Sequence, residues 1–220
     1  MRIVTVLLRE QVAEAARRAA HEGLLVGTAG NVSARSGDLV GVTASGVVLG
    51  GCRPDDVTVV SMSGDVVEGE LVPTSELSLH LGVYADTDAQ AVVHTHAPYS
   101  TAVACVLDEL PVLHYSQLLL GGAIRVAPYA TFGTPELAAS VREALAGRQA
   151  ALMANHGSVA TGPSLRAAVD AAVLLEWLAA LHHRASALGT PRVLTQAEQE
   201  AVVDQALSRN YGAPTELRSE

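Results

Sequence analysis

The chain is poor in cysteine and aromatics: among 220 residues there are two cysteines, one phenylalanine and one tryptophan. Cys52 and Cys105 stand far apart with no C-x-x-C pair, so neither a disulfide framework nor a thiolate metal site is indicated, and a reducing, cytoplasmic setting is expected. With aromatics at 3%, the core has to be built from Val, Leu, Ala and Ile. Basic residues are outnumbered 14 to 23 by acidic ones and form no cluster, and a net charge of -9 argues against a surface that tracks nucleic-acid phosphates. A small anionic ligand would have to be held by local backbone N–H groups, hydroxyls and a metal ion. Hydrophobic residues make up 49%, yet no apolar run approaches the ~20 residues that a bilayer span requires, so no membrane association is expected. The apolar stretch after Met1-Arg2 ends at Arg9-Glu10, and no secretory signal is readable.

At 220 residues the chain is most simply one domain, 1–220, with a tail from about 211. Its organising stretch is Ala91-Val92-Val93-His94-Thr95-His96-Ala97, whose small and β-branched start suits a buried strand. Side chains two apart in a strand share a face, so His94 and His96 point together and Thr95 points away. A lone H-x-H pair reads equally well as two hydrogen-bonded histidines, because a metal site takes three or four ligands. Two other segments change the balance. Pro73-Thr74-Ser75-Glu76 sets a carboxylate where a helix begins, and Ala154-Asn155-His156-Gly157 again ends an apolar run in histidine. Histidines 94, 96 and 156 with Glu76 make a candidate zinc site, provided that the strands ending at His96 and His156 are near neighbours.

Helical spacing of Val12, Ala13, Ala16, Ala19 and Ala20 predicts an amphipathic helix over 3–22, stopped by Gly23. Gly27-Thr28-Ala29-Gly30-Asn31-Val32-Ser33 and Thr43-Ala44-Ser45-Gly46 flank a strand at 39–42. They suit a phosphate cradle, while the residues alone favour two ordinary turns. A hairpin is expected from 58–62 and 66–67, after which Pro73 ends the strand. Thr74 or Ser75 then caps a helix that faces Leu77, Leu81 and Tyr84 inward. An acidic residue in a first helical turn, as at Glu76, is also ordinary dipole chemistry. Further helices are expected over 98–106, 135–145, 165–188 and 196–210, with strands at 111–115, 123–126 and 149–155. His21, His182 and His183 read as solvated or packed histidines. This order predicts an α/β fold, a three-layer αβα sandwich with a central, largely antiparallel sheet.

Together with Ala127-Pro128-Tyr129-Ala130-Thr131-Phe132-Gly133-Thr134 and Asn155-His156-Gly157, these segments occur in the order and spacing of a known family. The chain resembles the class II sugar-phosphate aldolases of the aldolase II/adducin head superfamily, the L-fuculose-phosphate aldolase pattern above all. The resemblance implies a homotetramer with active sites between subunits and one Zn2+ per subunit. His94, His96 and His156 fall on its metal ligands, and Glu76 on the carboxylate that ligates the resting metal and then serves as base. Gly30, Asn31, Ser45, Gly46, Thr74 and Ser75 fall on its phosphate-binding positions. Tyr115 falls on a proton donor supplied across a subunit interface, and Tyr211 on a tyrosine of the closing tail. Thr74 replaces a serine and Ser45 a threonine of that pattern, both keeping the hydroxyl, while Asn155 replaces a histidine.

The implied reaction is retro-aldol cleavage of a ketose 1-phosphate of the L-fuculose 1-phosphate type to dihydroxyacetone phosphate and an aldehyde such as lactaldehyde. Negative charge develops on the triose fragment, and a Lewis acid stabilises it where it forms. The same scaffold also resembles pentulose-phosphate 4-epimerases and methylthioribulose-phosphate dehydratases. A non-catalytic module of the adducin kind is a further alternative, in which the ligand set should be degraded.

Overall fold

The computed structural model describes residues 2–209. Among them, β1 (Asn31–Ser36), β2 (Leu39–Thr43), β3 (Val57–Ser61), β4 (Val66–Glu68), β5 (Ala91–Thr95), β6 (Glu109–Leu110), β7 (Ile124–Ala127), β8 (Ala150–Met153) and β9 (Gly157–Gly162) join one sheet. The strand order is β4-β3-β2-β1-β5-β9-β8-β7-β6. Every neighbouring pair is antiparallel except β7 with β8. The helices are α1 (Arg2–His21), α2 (Leu77–Asp86), α3 (Pro98–Ala104), α4 (Pro135–Leu145), α5 (Leu165–Leu188) and α6 (Gln196–Arg209).

Strand alternation divides the core in two. Ala91 and Val93 of β5, with Val32 and Ala34 of β1, join the cluster under α1, α3 and α5. Val92, Val40, Val60 and Val159 face the other way and pack under α2 and α4. This is the expected three-layer αβα sandwich, and the small residues Ala13, Ala16 and Ala19 bring α1 close to its face of the sheet. The same alternation has a consequence for polar residues. Asn31 and Ser33 on β1 and His94 on β5 take the positions that face α2.

Several local expectations are corrected. The polar stretch expected as a turn through residue 33 enters β1 at Asn31, because β5 offers an antiparallel partner that no local pattern announces. The strand expected at 111–115 is the short β6 at Glu109–Leu110, ended by Pro111, and Tyr115–Leu120 is a 3-10 turn capped by the His114 ring. A ninth strand at Gly157–Gly162 went unexpected, and β8 stops at Met153 rather than 155. The first residue flanking α2 is Glu76 with no side-chain cap, so neither Thr74 nor Ser75 caps that helix, and the Thr74 hydroxyl accepts the Glu76 N–H at 3.3 Å. Helix α3 ends at Ala104, and the final helix begins on the expected Thr195/Glu198 capping box. The tail expected from about residue 211, with Tyr211, lies outside the described residues.

Candidate active site

Strand pairing brings the histidines together. β5 pairs directly with β9, and β8 joins β9 through a tight turn in which His156 N–H donates to the Met153 carbonyl at 3.1 Å. Asn155 takes a left-handed conformation in that turn, at φ 54°. Gly157 follows because a Cβ there would stand 2.2 Å from the Thr95 carbonyl oxygen. His156 is thus set beside the end of β5. Histidines 94, 96 and 156 offer ring nitrogens that all lie within 4.8 Å of one another.

The hydrogen bonds around this cluster fix its polarity. His94 Nδ1 donates to the Ser158 carbonyl at 2.9 Å, which sets its Nε2 3.0 Å from His96 Nε2 and 3.1 Å from Glu76 Oε2. Glu76 Oε1 lies 3.5 Å from His156 Nε2, is buried, and has no hydrogen-bond partner among the described residues. Asn31 Nδ2 donates to Glu76 Oε2 at 3.0 Å. Three ring nitrogens converging on one point, with an orphaned carboxylate oxygen beside them, are a donor set that fits a divalent cation.

Burial would raise the Glu76 carboxyl, but hydrogen bonding and charge from His94, the Asn31 amide and the charge of His156 outweigh it. The group is held well below the usual carboxylate range. Burial, and then the charges of His94 and His156, lower His96 to about 4. His156 is lowered too, again chiefly by burial. Both rings are therefore neutral near pH 7, as a ligand must be.

A cleft of about 290 Å³ opens onto the cluster, lined by Gly30, Asn31, Ser45, Gly46, Thr74, Ser75, Glu76, His96 and His156 among others. Among the described residues, no Lys or Arg lines it. Any phosphate there meets backbone N–H groups and hydroxyls instead. Gly30, at φ 90°, brings its backbone against the His94 carbonyl, where a Cβ would be 2.9 Å from the oxygen. Tyr129 and Phe132, to which the sequence reading assigned no role, stand exposed at this cleft; the signal available was the chain's single Phe inside a polar, Gly-ended segment. Tyr115 does not line the cleft of its own chain. It stacks on His114 at 4.4 Å and borders a groove against Val202, Val203 and Leu207 of α6. Tyr84 faces inward as expected, but the sequence assigns no site role to it, to Ser33 or to His80, although Glu76, His80 and Tyr84 recur at one-turn spacing.

The pattern of the Class II Aldolase and Adducin N-terminal domain matches residues 10–183. A 5-methylthioribulose-1-phosphate/5-deoxyribulose-1-phosphate aldolase of Rhodospirillum rubrum is 40% identical over 216 residues, 97% of this chain and 96% of that one. A 5-deoxy-D-ribulose 1-phosphate aldolase of Bacillus thuringiensis serovar kurstaki is 36% identical over 87% of this chain and 92% of that one. The solved structure of an L-fuculose 1-phosphate aldolase superposes with a TM-score of 0.86 at 34% identity, covering 90% of this chain and 95% of that one. This chain therefore belongs to the class II aldolase and adducin N-terminal domain family, as a metal-dependent sugar-phosphate aldolase, a lyase.

Proposed function

We propose that the chain cleaves ketose 1-phosphates to dihydroxyacetone phosphate and a short aldehyde, with Zn2+ held by His94, His96, His156 and Glu76. The observation that carries this reading is the convergence of three imidazoles and an orphaned carboxylate oxygen at the floor of a cleft lined with hydroxyls and glycines. When bound, the cation supplies Lewis acidity to the carbonyl and hydroxyl oxygens of the ketose. Gly30, Asn31, Ser45, Gly46, Thr74 and Ser75 hold the phosphate as a non-reacting handle, so that its binding energy goes into orientation. Glu76 takes and returns the proton at the carbon beside the triose carbonyl, from a position that Asn31 fixes. Tyr115, reaching a neighbouring subunit's cleft in a homotetramer, protonates the aldehyde oxygen in the condensation direction. Tyr211 closes the cleft.

For the substrate, the names of the relatives favour 5-deoxyribulose 1-phosphate and 5-methylthioribulose 1-phosphate, with L-fuculose 1-phosphate second. All three end in an apolar methyl or thioether group away from the phosphate. The exposed rings of Tyr129 and Phe132 offer apolar surface for that end. The test incubates zinc-loaded protein with these three and with L-ribulose 5-phosphate, and identifies products while metal content is measured on the same sample. Dihydroxyacetone phosphate with acetaldehyde, methylthioacetaldehyde or lactaldehyde is expected. Appearance of only an epimerised pentulose or a dehydrated product would overturn the cleavage reading.

A further inference from the structure

Behind Glu76 runs a file of buried polar side chains of which the chemistry above uses only Asn31. Asn31, Ser33, His80 and Tyr84 are at most 5% exposed. Glu76, His80 and Tyr84 sit one helical turn apart along α2 and its first flanking residue, against Asn31 and Ser33 two apart on β1. His80 Nε2 bonds Asn31 Oδ1, His80 Nδ1 lies 2.6 Å from Ser33 Oγ, and Ser33 Oγ lies 2.6 Å from the Tyr84 hydroxyl.

The direction of every bond follows from the first. Asn31 Nδ2 donates to Glu76 Oε2, which turns its carbonyl oxygen toward His80. His80 Nε2 must then carry the proton, and Nδ1 must accept from the Ser33 hydroxyl. Ser33 in turn accepts from Tyr84 O–H. Full burial favours the neutral imidazole that this pattern needs, pushing His80 down to about 3. The far end of the file is buried against the sheet, where the Val92 backbone also meets the Tyr84 hydroxyl, so among the described residues no second outlet to solvent serves a relayed proton. Its chemical use is orientation.

We propose that His80, with Ser33 and Tyr84 behind it, is a positioning residue that locks the Asn31 amide with its N–H groups on Glu76 Oε2, leaving Oε1 directed at the histidine cluster. In its effect on turnover this rests on the aldolase reading; in its geometry it does not. Reversal of the Asn31 amide would set its carbonyl oxygen against the carboxylate, and the donor on His80 prevents this.

The first test needs no substrate. Long-range 1H–15N correlation spectra of the zinc-loaded protein at pH 7 should show His80 as the neutral Nε2–H tautomer. The Asn31 side-chain amide protons should exchange slowly in the parent and fast in His80→Phe. A Nδ1–H tautomer, or a charged ring, overturns the proposal. The second test is kinetic, at matched zinc content and below the melting temperature of each variant. His80→Phe should lower kcat about tenfold, while His80→Gln, which retains a donor toward Asn31, should recover most of that loss. In an Asn31→Ala background His80→Phe should lower kcat no further. Full activity of His80→Phe, or additive losses in the double variant, overturns the positioning role. Should His80→Phe fail to fold, Tyr84→Phe takes its place in both measurements, with about a threefold loss expected and none overturning the proposal. A protein that shows the predicted tautomer and slow Asn31 exchange but cleaves no ketose phosphate refutes the substrate reading and leaves the geometric lock standing.

Discussion

At the scale of single residues, the site divides by how far each side chain can be understood from its neighbours in sequence. His94 and His96 could be placed on one face from the period of an extended strand, and the structure sets their ring centroids 4.8 Å apart. Glu76 was legible as an acidic residue at a helix start, but its side chain leaves the helix dipole uncapped and turns to the histidines. His80 was illegible, because a histidine inside an apolar helix looks the same whether it packs idly or holds an amide in place. Two outcomes follow for substitution. Glu76→Gln keeps the shape and the Asn31 neighbourhood but cannot take a proton, so kcat for cleavage should fall by about a hundredfold or more with the melting temperature little changed. His96→Ala removes one of the converging imidazoles, so metal content by elemental analysis and activity should fall together; full zinc in that variant would refute the ligand assignment.

At the scale of elements, the site depends on where β5 and β9 touch. Gly157 is where a side chain would collide with the Thr95 carbonyl, and the neighbouring Ser158 carbonyl holds the His94 ring. Gly157→Ala should therefore separate the two strands and loosen His94 and His156 together. The expected loss is about 1–3 kcal/mol in unfolding free energy, read by denaturant titration of the metal-free protein, with weaker zinc binding in a competition assay. Helices with strong apolar periods and clear caps were readable in advance, as α4 at Pro135–Leu145 and the Ser164-capped α5 show. β1 and β9 were not. Asn31–Ser36 and Gly157–Gly162 are rich in small and polar residues, and each is extended because it lies between two other strands.

At the scale of the whole molecule, the buried titratable groups make stability depend on pH in a defined sense. The native state lowers His80 to about 3 and His96 to about 4 from 6.5, and also holds Glu76 below its ordinary value. Between about pH 6.5 and 3 the unfolded chain binds protons that the native metal-free protein does not, so stability present above that window is lost as pH falls through it. Urea midpoints should decline by an amount worth roughly a few kcal/mol across this range, and zinc should steepen the decline because protons compete for its ligands. A flat profile would mean that His80 is not held neutral by burial. The sequence by itself determined the chemical inventory: three imidazoles, a carboxylate, hydroxyl and glycine turns, and the apolar periods that made a sandwich the natural fold. Those features depend on residues a few positions apart. Only the tertiary structure decided that β1 and β9 flank β5, that Asn31 stands opposite His94, and that α2 lays Glu76, His80 and Tyr84 over β1. Strand order and register are set by packing between segments distant in the chain, and no local period carries that information.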